Sequence, residues 1–210
     1  PDILILPGTK STIHDMRALQ KAGIDKKILK CHSNGSIVFG ICGGYQMLGR
    51  AISDSLRAES DNELSEGLGL LDTVTEFRKN KFTTISKGRD NIFGAGIRGY
   101  EIHMGENLNS DTGHSFITVS ERGGKETSGQ DGMVNEDLTV FGSYIHGIFD
   151  SSEFARSFLN MVRGRKGLAP LANSVPDYWE YKEGQYDKLA EIVRDSLDMK
   201  KLYEILETGI

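Results

Sequence analysis

The sequence predicts an α/β fold, with a mostly parallel sheet, flanking helices and extra antiparallel strands at the edge of the sheet. Two continuous apolar runs, ILIL at residues 3–6 and IVFGI at residues 37–41, are typical of parallel strands that are buried on both faces. Sequence with helical periodicity follows each run. This alternation of strand and helix favours a parallel sheet with helices on its faces.

The helices near the N-terminus are predicted from apolar spacing and from capping residues. A helix capped by Ser11 or Thr12 is expected to end near Gly23, and a second short helix is expected to end at Gly35. A third helix follows the second apolar run and includes Tyr45. The first two predicted helices therefore lie between the two predicted parallel strands in the sequence, and the third follows the second strand.

The middle of the chain is predicted to hold strands separated by turns rich in Gly, Asp and Asn. Residues 53–66 are expected to form a polar surface loop, and residues 120–132 a mobile segment. The strand-like runs cover residues 68–77, 97–104, 115–119 and 138–145. A helix begins at Ser152, and a tail helix is expected over about 186–206.

Composition and charge restrict the class of protein. The chain has 210 residues, of which 38% are hydrophobic and 26% are charged, and its net charge is −5. These values predict one domain of ordinary size, or one with a small appendage, and exclude a disordered chain and a membrane protein. The acidic balance argues against nucleic acid or an anionic membrane as a partner.

The start of the chain and its two cysteines indicate context and compartment. The chain begins at Pro1 inside a strand-like run, without an initiator Met, so we expect a piece of a larger polypeptide that lacks part of its own sheet. No signal peptide or membrane-spanning run is present in the sequence. We therefore expect a cytoplasmic protein in which Cys31 and Cys42 are free thiols. The five histidines lack zinc-site spacing, so no metal is expected.

The strongest chemical feature is GICGG at residues 40–44, a strand followed by a sharp turn and a helix. This pattern is typical of a nucleophile elbow, with Cys42 as the nucleophile. The helix N-terminus is expected to lower the pKa of the thiol, and the N–H of Gly43 is expected to face a developing oxyanion. A buried, inert cysteine is the alternative, and Cys31, which lacks this context, is expected to be one.

A cysteine nucleophile needs a base that later donates a proton to the leaving group. His146 is the first candidate, because it ends a strand-like run and the active sites of α/β sheets gather at such ends. His103 follows another strand-like run and is the second candidate. The N–H of Gly8, in the loop after the first strand, is expected to be a second oxyanion donor, with a simple turn as the alternative. The other histidines are expected to be ordinary ones: His14, His32 and His114.

Three segments together resemble the class I glutamine amidotransferases. They are LPGTK at residues 6–10, FGICGGYQMLG at 39–49 and YIHGIFD at 144–150. Three further segments resemble the cobyric acid synthase branch of that family: EGLGLL at 66–71, RGYEIHMG at 98–105 and QYDKLA at 185–190. The similarity covers almost the whole chain.

The resemblance implies a flavodoxin-like glutaminase domain over residues 1–210 that hydrolyses glutamine to supply ammonia. An N-terminal synthetase domain would use ATP and Mg²⁺ to amidate adenosylcobyrinic acid a,c-diamide in cobalamin biosynthesis. The implied partners are glutamine, that synthetase domain and its corrinoid substrate. The chain has no G-x-x-x-x-G-K-[ST] motif, in agreement with a segment that needs no cofactor of its own.

One position departs from the wider family. Most members place a Glu two residues after the catalytic His, and this chain has Ile148 there. The resemblance therefore implies a dyad of Cys42 and His146, with the imidazole held by another group, such as a backbone carbonyl or Glu101. A dyad without a carboxylate predicts weak basal glutaminase activity that rises with the synthetase partner and its substrate.

Three further residues are candidates for binding the substrate. Gln46 lies one helical turn after Cys42, on the same face of the helix, and a packing role is an equal alternative for it. Tyr100 and Glu101 are expected to line the same pocket as the nucleophile.

Other functions remain open at this point. The domain could belong to the glutaminase of cobyrinic acid a,c-diamide synthase or of lipid II isoglutaminyl synthase, although residues 100–105 and the tail favour the cobyric acid synthase branch. A catalytically silent docking module is an alternative from another class. A stand-alone cysteine hydrolase or chaperone of similar fold is a further one. Labelling of Cys42 by a glutamine-like electrophile would separate a working site from a silent one.

Overall fold

A mixed sheet organises the first of two units of the chain, Pro1–Leu171, while the second unit is Ala172–Ile210. The computed structural model describes residues 1–61, 64–109, 114–172 and 178–209. Within these ranges the strands are β1 (Ile3–Leu6), β2 (Ile37–Ile41), β3 (Ala51–Ser53), β4 (Leu64–Glu66), β5 (Thr73–Asp90), β6 (Gly96–Asn109), β7 (His114–Arg122), β8 (Lys125–Val134), β9 (Val140–Ser143) and β10 (Ile145–His146). The helices are α1 (Thr12–Lys21), α2 (Ile24–Ser33), α3 (Gly43–Leu48), α4 (Ser152–Arg165), α5 (Tyr178–Ser196) and α6 (Met199–Thr208).

Three parallel strands form the part of the sheet that positions the candidate site. The strand order is β1-β2-β9-β8-β7-β5-β3-β4, and β6 pairs with β5 and β10. β2 lies between β1 and β9 and is parallel to both, with Gly40 opposite Leu6 on one side and Gly142 on the other. The carboxyl ends of these strands meet at one edge of the sheet, where open α/β sheets bind ligands. The predicted fold class is confirmed.

Two hydrophobic clusters cover the two faces of this parallel core. Side chains alternate along β2, so Val38 joins the cluster under α1, α2 and α3, while Phe39 joins the cluster under α4. The α4 side is largely aromatic, and the ring of Phe39 stacks on that of Phe141 with centroids 5.8 Å apart. Phe154 and Phe158 of α4 are fully buried against these rings. The core is thus a sheet between two helical layers, as the sequence predicts.

The antiparallel part of the sheet is larger than the sequence predicts. β5 does not end at Phe77 but continues to Asp90, where it pairs with β6 and β7. The predicted strand over residues 68–77 was wrong at its start, because β5 begins at Thr73. Residues 120–132, expected to be mobile, instead contribute most of β8, which pairs with β7 and β9. Backbone hydrogen bonds stabilise these polar strands, which have little apolar alternation to reveal them.

The polar segment after β3 is organised around one buried carboxylate. Asp54 is fully buried and accepts hydrogen bonds from the backbone N–H groups of residues 58–60. The expected surface loop over 53–66 is therefore wrong at both ends, since Asp54 is internal and Leu64–Glu66 forms β4, paired with β3. Residues 62–63 of that loop lie outside the described residues.

The tail consists of two helices rather than the single helix expected over about 186–206. α5 ends at Ser196, and the side chain of Asp198 caps α6 by accepting a hydrogen bond from the N–H of Lys201 at 3.0 Å. An N-cap aspartate favours a helix start, so it separates the two helices. Over the described ranges, no helix has both the length and the apolar character needed to cross a bilayer.

Candidate active site

Cys42 occupies a strained turn between β2 and α3. Its φ is 53° and its ψ is −112°, a backbone conformation that is rare for a residue with a side chain. Its N–H donates a hydrogen bond to the carbonyl of Ser143 at 2.8 Å, and its own carbonyl accepts one from the N–H of Gln46 at 3.0 Å. The predicted strand–turn–helix at residues 40–44 is confirmed, and the turn is tied to the end of β9.

His146 lies beside Cys42 at the same edge of the sheet. The loop after β1 fits between them: a Cβ built on Gly8 would lie 2.7 Å from Cε1 of His146 and 3.5 Å from Cβ of Cys42. These three residues line one cavity of about 290 Å³, together with Thr9, Lys10, Tyr100 and Ile102. The structure therefore brings together the predicted nucleophile, the first-choice base and the predicted oxyanion loop.

Burial keeps the Cys42 thiol protonated at neutral pH. The residue is only 6% exposed, and its thiol donates a hydrogen bond to the carbonyl of Ile102 at 3.4 Å. Burial raises the pKa of the thiol to about 11, the N–H of Gly43 acts in the opposite direction, and the carboxylates of Asp131 and Glu59 raise the pKa further. The N–H of Gly43 at the start of the helix does lower this pKa, as expected, but desolvation outweighs it, so the net shift of the pKa is upward.

This protonated state predicts slow alkylation of Cys42 by iodoacetamide. At pH 8 a thiol with a pKa of about 11 is only about 0.1% ionised, so we expect a rate about tenfold or more below that of an ordinary free thiol. The rate of adduct formation would be measured by mass spectrometry in a Cys31→Ser variant between pH 7 and pH 11. The same variant in denaturant is the control. A folded-state rate that levels off near pH 8.5 would contradict the prediction.

Glu101 does not hold the imidazole of His146, and it does not line the cavity that Cys42 and His146 share. It is 2% exposed, accepts hydrogen bonds from the Ser86 hydroxyl and from Nε of Arg122, and lies 3.5 Å from Nε2 of His103. Burial alone would raise its pKa, but these hydrogen bonds lower the pKa to about 2. Adjacent residues of a strand face opposite sides, so Tyr100 reaches the cavity of His146 and Glu101 does not.

His103, the second-choice base, belongs to the same buried network as Glu101. Its Nδ1 lies 2.8 Å from the carbonyl of Gly105, and its ring stacks on that of Tyr144 with centroids 4.0 Å apart. The two ring nitrogens are therefore directed at Gly105 and Glu101. His103 also lines a second cavity, of about 350 Å³, which contains Cys42.

Gln46 is buried and uses its side chain for internal contacts. Its Oε1 accepts a hydrogen bond from the Thr12 hydroxyl at 3.0 Å, and its Nε2 donates one to the Tyr144 hydroxyl at 3.3 Å. Both polar atoms are thus engaged inside the protein, which supports the packing role over the substrate-binding role. The residue nevertheless forms part of the wall of the 350 Å³ cavity.

The remaining histidines are ordinary ones, as predicted. His14 and His114 are exposed, and Nε2 of His32 lies 3.1 Å from the hydroxyl of Thr139. In the described part of the chain, no group of three or more His, Cys, Asp or Glu side chains is arranged to hold a metal ion.

Sequence analysis missed two charged residues that line the cavity of the candidate nucleophile, Cys42. Glu59 lines the 350 Å³ cavity, and its carboxylate accepts hydrogen bonds from the N–H groups of Thr12 (2.6 Å) and Ile13 (3.2 Å). No sequence pattern distinguishes it, since only the loop held by Asp54 brings it there. Lys10 lines both cavities. Its position in the loop after β1, two residues after Gly8, could have indicated from the sequence that it lies at the site.

Comparison with solved structures identifies the class of fold. The chain superposes on a crystal structure of a glutamine amidotransferase with a TM-score of 0.52 and 16% identity, over 78% of this chain and 79% of that one. It also superposes on the structure of PurLQS from Thermotoga maritima with a TM-score of 0.53 and 21% identity, over 77% and 80% of the two chains. The fold is therefore that of the glutamine amidotransferases, with Cys42 at its elbow.

The sequence places the chain in one family of this class. Residues 1–154 match the CobB/CobQ-like glutamine amidotransferase domain, and the chain belongs to that family. It is 49% identical over its whole length to a cobyric acid synthase from Clostridium novyi and 45% identical over 98% of its length to one from Streptococcus sanguinis. It covers 42% and 41% of these proteins, so it spans about two fifths of the length of the curated relatives. The resemblance read from the motifs is confirmed.

Proposed function

We propose that this domain hydrolyses glutamine to glutamate and ammonia, with Cys42 as the nucleophile and His146 as the base and acid. Membership of the glutamine amidotransferase family supports the substrate. One observation carries the assignment of residues: the strained turn of Cys42 faces a cavity that it shares with His146 and Gly8.

The reaction follows the two-step course of cysteine nucleophiles. His146 takes the thiol proton, and the sulfur forms a bond to the carboxamide carbon of glutamine. The N–H groups of Gly43 and Gly8 are assigned to the resulting oxyanion. The C–N bond then breaks as the imidazolium gives its proton to the leaving nitrogen, and ammonia departs.

Water completes the cycle by releasing glutamate. His146 removes a proton from water, the oxygen attacks the glutamyl thioester, and the C–S bond breaks while the proton returns to Cys42. Burial, with a smaller contribution from His103, lowers the pKa of His146 below its ordinary value. The imidazole is therefore neutral at neutral pH, the form that a general base requires.

Two charged residues complement the ends of glutamine. The carboxylate of Glu59 and the ammonium of Lys10 line the cavity at Cys42 and carry the charges opposite to the α-ammonium and α-carboxylate groups of an amino acid. We assign them to substrate binding on this complementarity, since the two backbone hydrogen bonds of Glu59 leave further lone pairs on its carboxylate oxygens.

The resting state of the thiol supports weak basal activity. Cys42 holds its proton against the carbonyl of Ile102 and has a pKa of about 11, so attack requires a change around the sulfur. We propose that glutamine and the synthetase part of the protein bring about this change. Hydrolysis would then be matched to the demand for ammonia.

We propose that a synthetase domain uses this ammonia, and the name of the relatives, cobyric acid synthase, supports such a domain. We propose further that it uses ATP and Mg²⁺ to amidate adenosylcobyrinic acid a,c-diamide, within cobalamin biosynthesis. We place the reaction in the cytoplasm, and the two free thiols, Cys31 and Cys42, agree with a reducing compartment.

Active-site labelling tests the assignment of Cys42. We expect 6-diazo-5-oxo-L-norleucine, a glutamine-like electrophile, to form one adduct, at Cys42, detected by peptide mass spectrometry. Cys42→Ser should form no adduct and should lower glutamine hydrolysis at least about a thousandfold, because the hydroxyl is a far weaker nucleophile in this site. Its thermal unfolding should match that of the wild type.

The matched control is Cys31→Ser, which should keep both labelling and hydrolysis. Retained hydrolysis in Cys42→Ser would remove Cys42 from the mechanism. A wild type that stays unlabelled and inactive even when it is joined to the synthetase part would indicate a silent docking module. In the protein that joins this domain to a synthetase part, Cys42→Ser should lose glutamine-dependent amidation of the a,c-diamide but keep amidation with ammonium.

A further inference from the structure

The imidazole of His146 packs against an aromatic ring and lies close to the backbone of the loop after β1. On one side its ring stacks on that of Tyr100, with centroids 4.8 Å apart and ring planes 2° apart. On another side lies the backbone of Gly8, so close that a Cβ there would be 2.7 Å from Cε1 of the ring. These two contacts restrict the orientation of the ring on the sides that they cover.

The carboxylate that would usually orient such a ring is replaced by other residues. Ile148 occupies the expected position and is fully buried in the aromatic cluster on the α4 side. Glu101 is engaged by Ser86, Arg122 and His103. Among the residues that the structure describes, no hydrogen bond to the side chain of His146 is found.

We propose that Tyr100 is the positioning residue for His146, and that ring stacking takes the place of the missing carboxylate. The proposal rests on the proposed function, because it treats His146 as the catalytic base. Tyr100 would not touch the reacting atoms; it would act through the imidazole.

The backbone enforces this stacking. Tyr100 and His146 are directly paired across β6 and β10, so their side chains leave the sheet on the same side. The strands approach so closely that a Cβ on Gly99 would lie 2.0 Å from the carbonyl oxygen of His146. The stacking distance is thus set by main-chain register.

Because Tyr100 contacts the face of the imidazole and not its edge, both ring nitrogens of His146 stay available for proton transfer. A carboxylate would occupy one of them. The aromatic face of Tyr100 also attracts the imidazolium that forms during the reaction, through a cation–π interaction. Ionisable groups near the ring among the described residues include Cys42 and Lys10 in the shared cavity and His103, which adds to the lowering of the pKa of His146.

Steady-state kinetics of glutamine hydrolysis by two Tyr100 variants test the proposal, in whichever form of the protein hydrolyses glutamine. Tyr100→Leu should lower kcat by about 10- to 100-fold with KM changed by less than about threefold, because a misplaced base slows chemistry more than binding. Tyr100→Phe keeps the ring and should stay within about threefold of the wild-type kcat. Both variants should unfold at the wild-type temperature, since Tyr100 is 48% exposed.

Proton NMR of the histidine rings gives a readout that does not depend on activity. The ring current of Tyr100 should shift the His146 ring protons upfield, an assignment made with His146→Asn. Tyr100→Leu should remove this shift and Tyr100→Phe should keep it. An inactive, unlabelled wild type would count against the proposed function alone. Three other results would overturn the stacking proposal: an unshifted His146 resonance, a fully active Tyr100→Leu variant, or a Tyr100→Phe variant as impaired as Tyr100→Leu.

Discussion

Gly44→Ala is expected to destabilise the first unit by about 3 kcal/mol or more. A Cβ on Gly44 would lie 2.0 Å from the carbonyl oxygen of Leu6 and 2.6 Å from its carbonyl carbon. Both atoms are backbone of β1, which is fixed by its pairing with β2, so no side-chain rotation relieves the clash. The variant must move α3 away from β1 and thereby separate the elbow from the Gly8 loop.

Urea and thermal unfolding followed by circular dichroism would measure this effect. For a unit of this size the loss corresponds to a fall in the midpoint of about 6–12 °C. Gly164→Ala is the matched control, because Gly164 lies within α4 and a Cβ there meets no atom within 4 Å. That variant should be as stable as the wild type or up to about 1 kcal/mol more stable. Equal destabilisation by both substitutions would refute the role of close packing at Gly44.

Asp131→Asn is expected to stabilise the protein above pH 7 and to remove part of its pH dependence. Asp131 is buried behind the elbow, where its carboxyl group accepts hydrogen bonds from the Ser143 hydroxyl at 2.5 Å and from the N–H of Tyr144 at 3.1 Å. Burial raises its pKa to about 6, although these two hydrogen bonds oppose the rise. The amide of the substituted side chain can accept from Tyr144 and donate to Ser143, so the variant keeps both contacts without the charge.

The sign of the pH effect follows from this raised pKa. The folded state binds the Asp131 proton more tightly than the unfolded state, so the contribution of Asp131 to stability is full below about pH 4 and is lost as pH rises through about 6. A shift from 3.8 to about 6 corresponds to about 3 kcal/mol. The free energy of unfolding of Asp131→Asn relative to wild type should therefore rise by about this amount between pH 4 and pH 8.

Asp90→Asn provides a contrasting control for the same measurement. Asp90 is equally buried, but both of its oxygens accept from backbone N–H groups, those of Ile92, Phe93 and Ala95. An amide nitrogen at either oxygen position would face a donor, so this variant should be destabilised at pH 8. If Asp131→Asn behaved like Asp90→Asn, the inferred cost of the buried Asp131 charge would be wrong.

The parallel core was predictable because its signals are local. ILIL and IVFGI are continuous apolar runs, and GICGG combines a strand end, a tight turn and a helix start in five residues. β5 beyond Phe77 and β8 were not predictable in this way. Their charged and glycine-rich sequences are held by pairing with distant strands, and such pairing leaves no period in the sequence itself.

The residues of the candidate site divide in the same way, into those that local sequence signals predict and those whose placement depends on distant segments. Cys42, His146 and Gly8 follow strand ends, so sequence analysis could place them at one edge of the sheet. The placement of Glu101 was wrong because the side of the sheet that it faces depends on the register of β6 against β10. The pKa of Cys42 was misjudged because burial of a thiol depends on segments such as Ile102 that are remote in sequence.

The hydrogen bond from Cys42 to the carbonyl of Ser143 has a consequence for biosynthesis. The ribosome makes Cys42 more than a hundred residues before it makes His146, and the elbow lacks this anchor until β9 has been added. Under the proposed assignment of His146 as the base, a growing or prematurely ended chain therefore carries the sulfur of Cys42 without its base. If the proposed dyad is correct, such a chain should leave glutamine unhydrolysed, because hydrolysis would require β9 and the strand that carries His146.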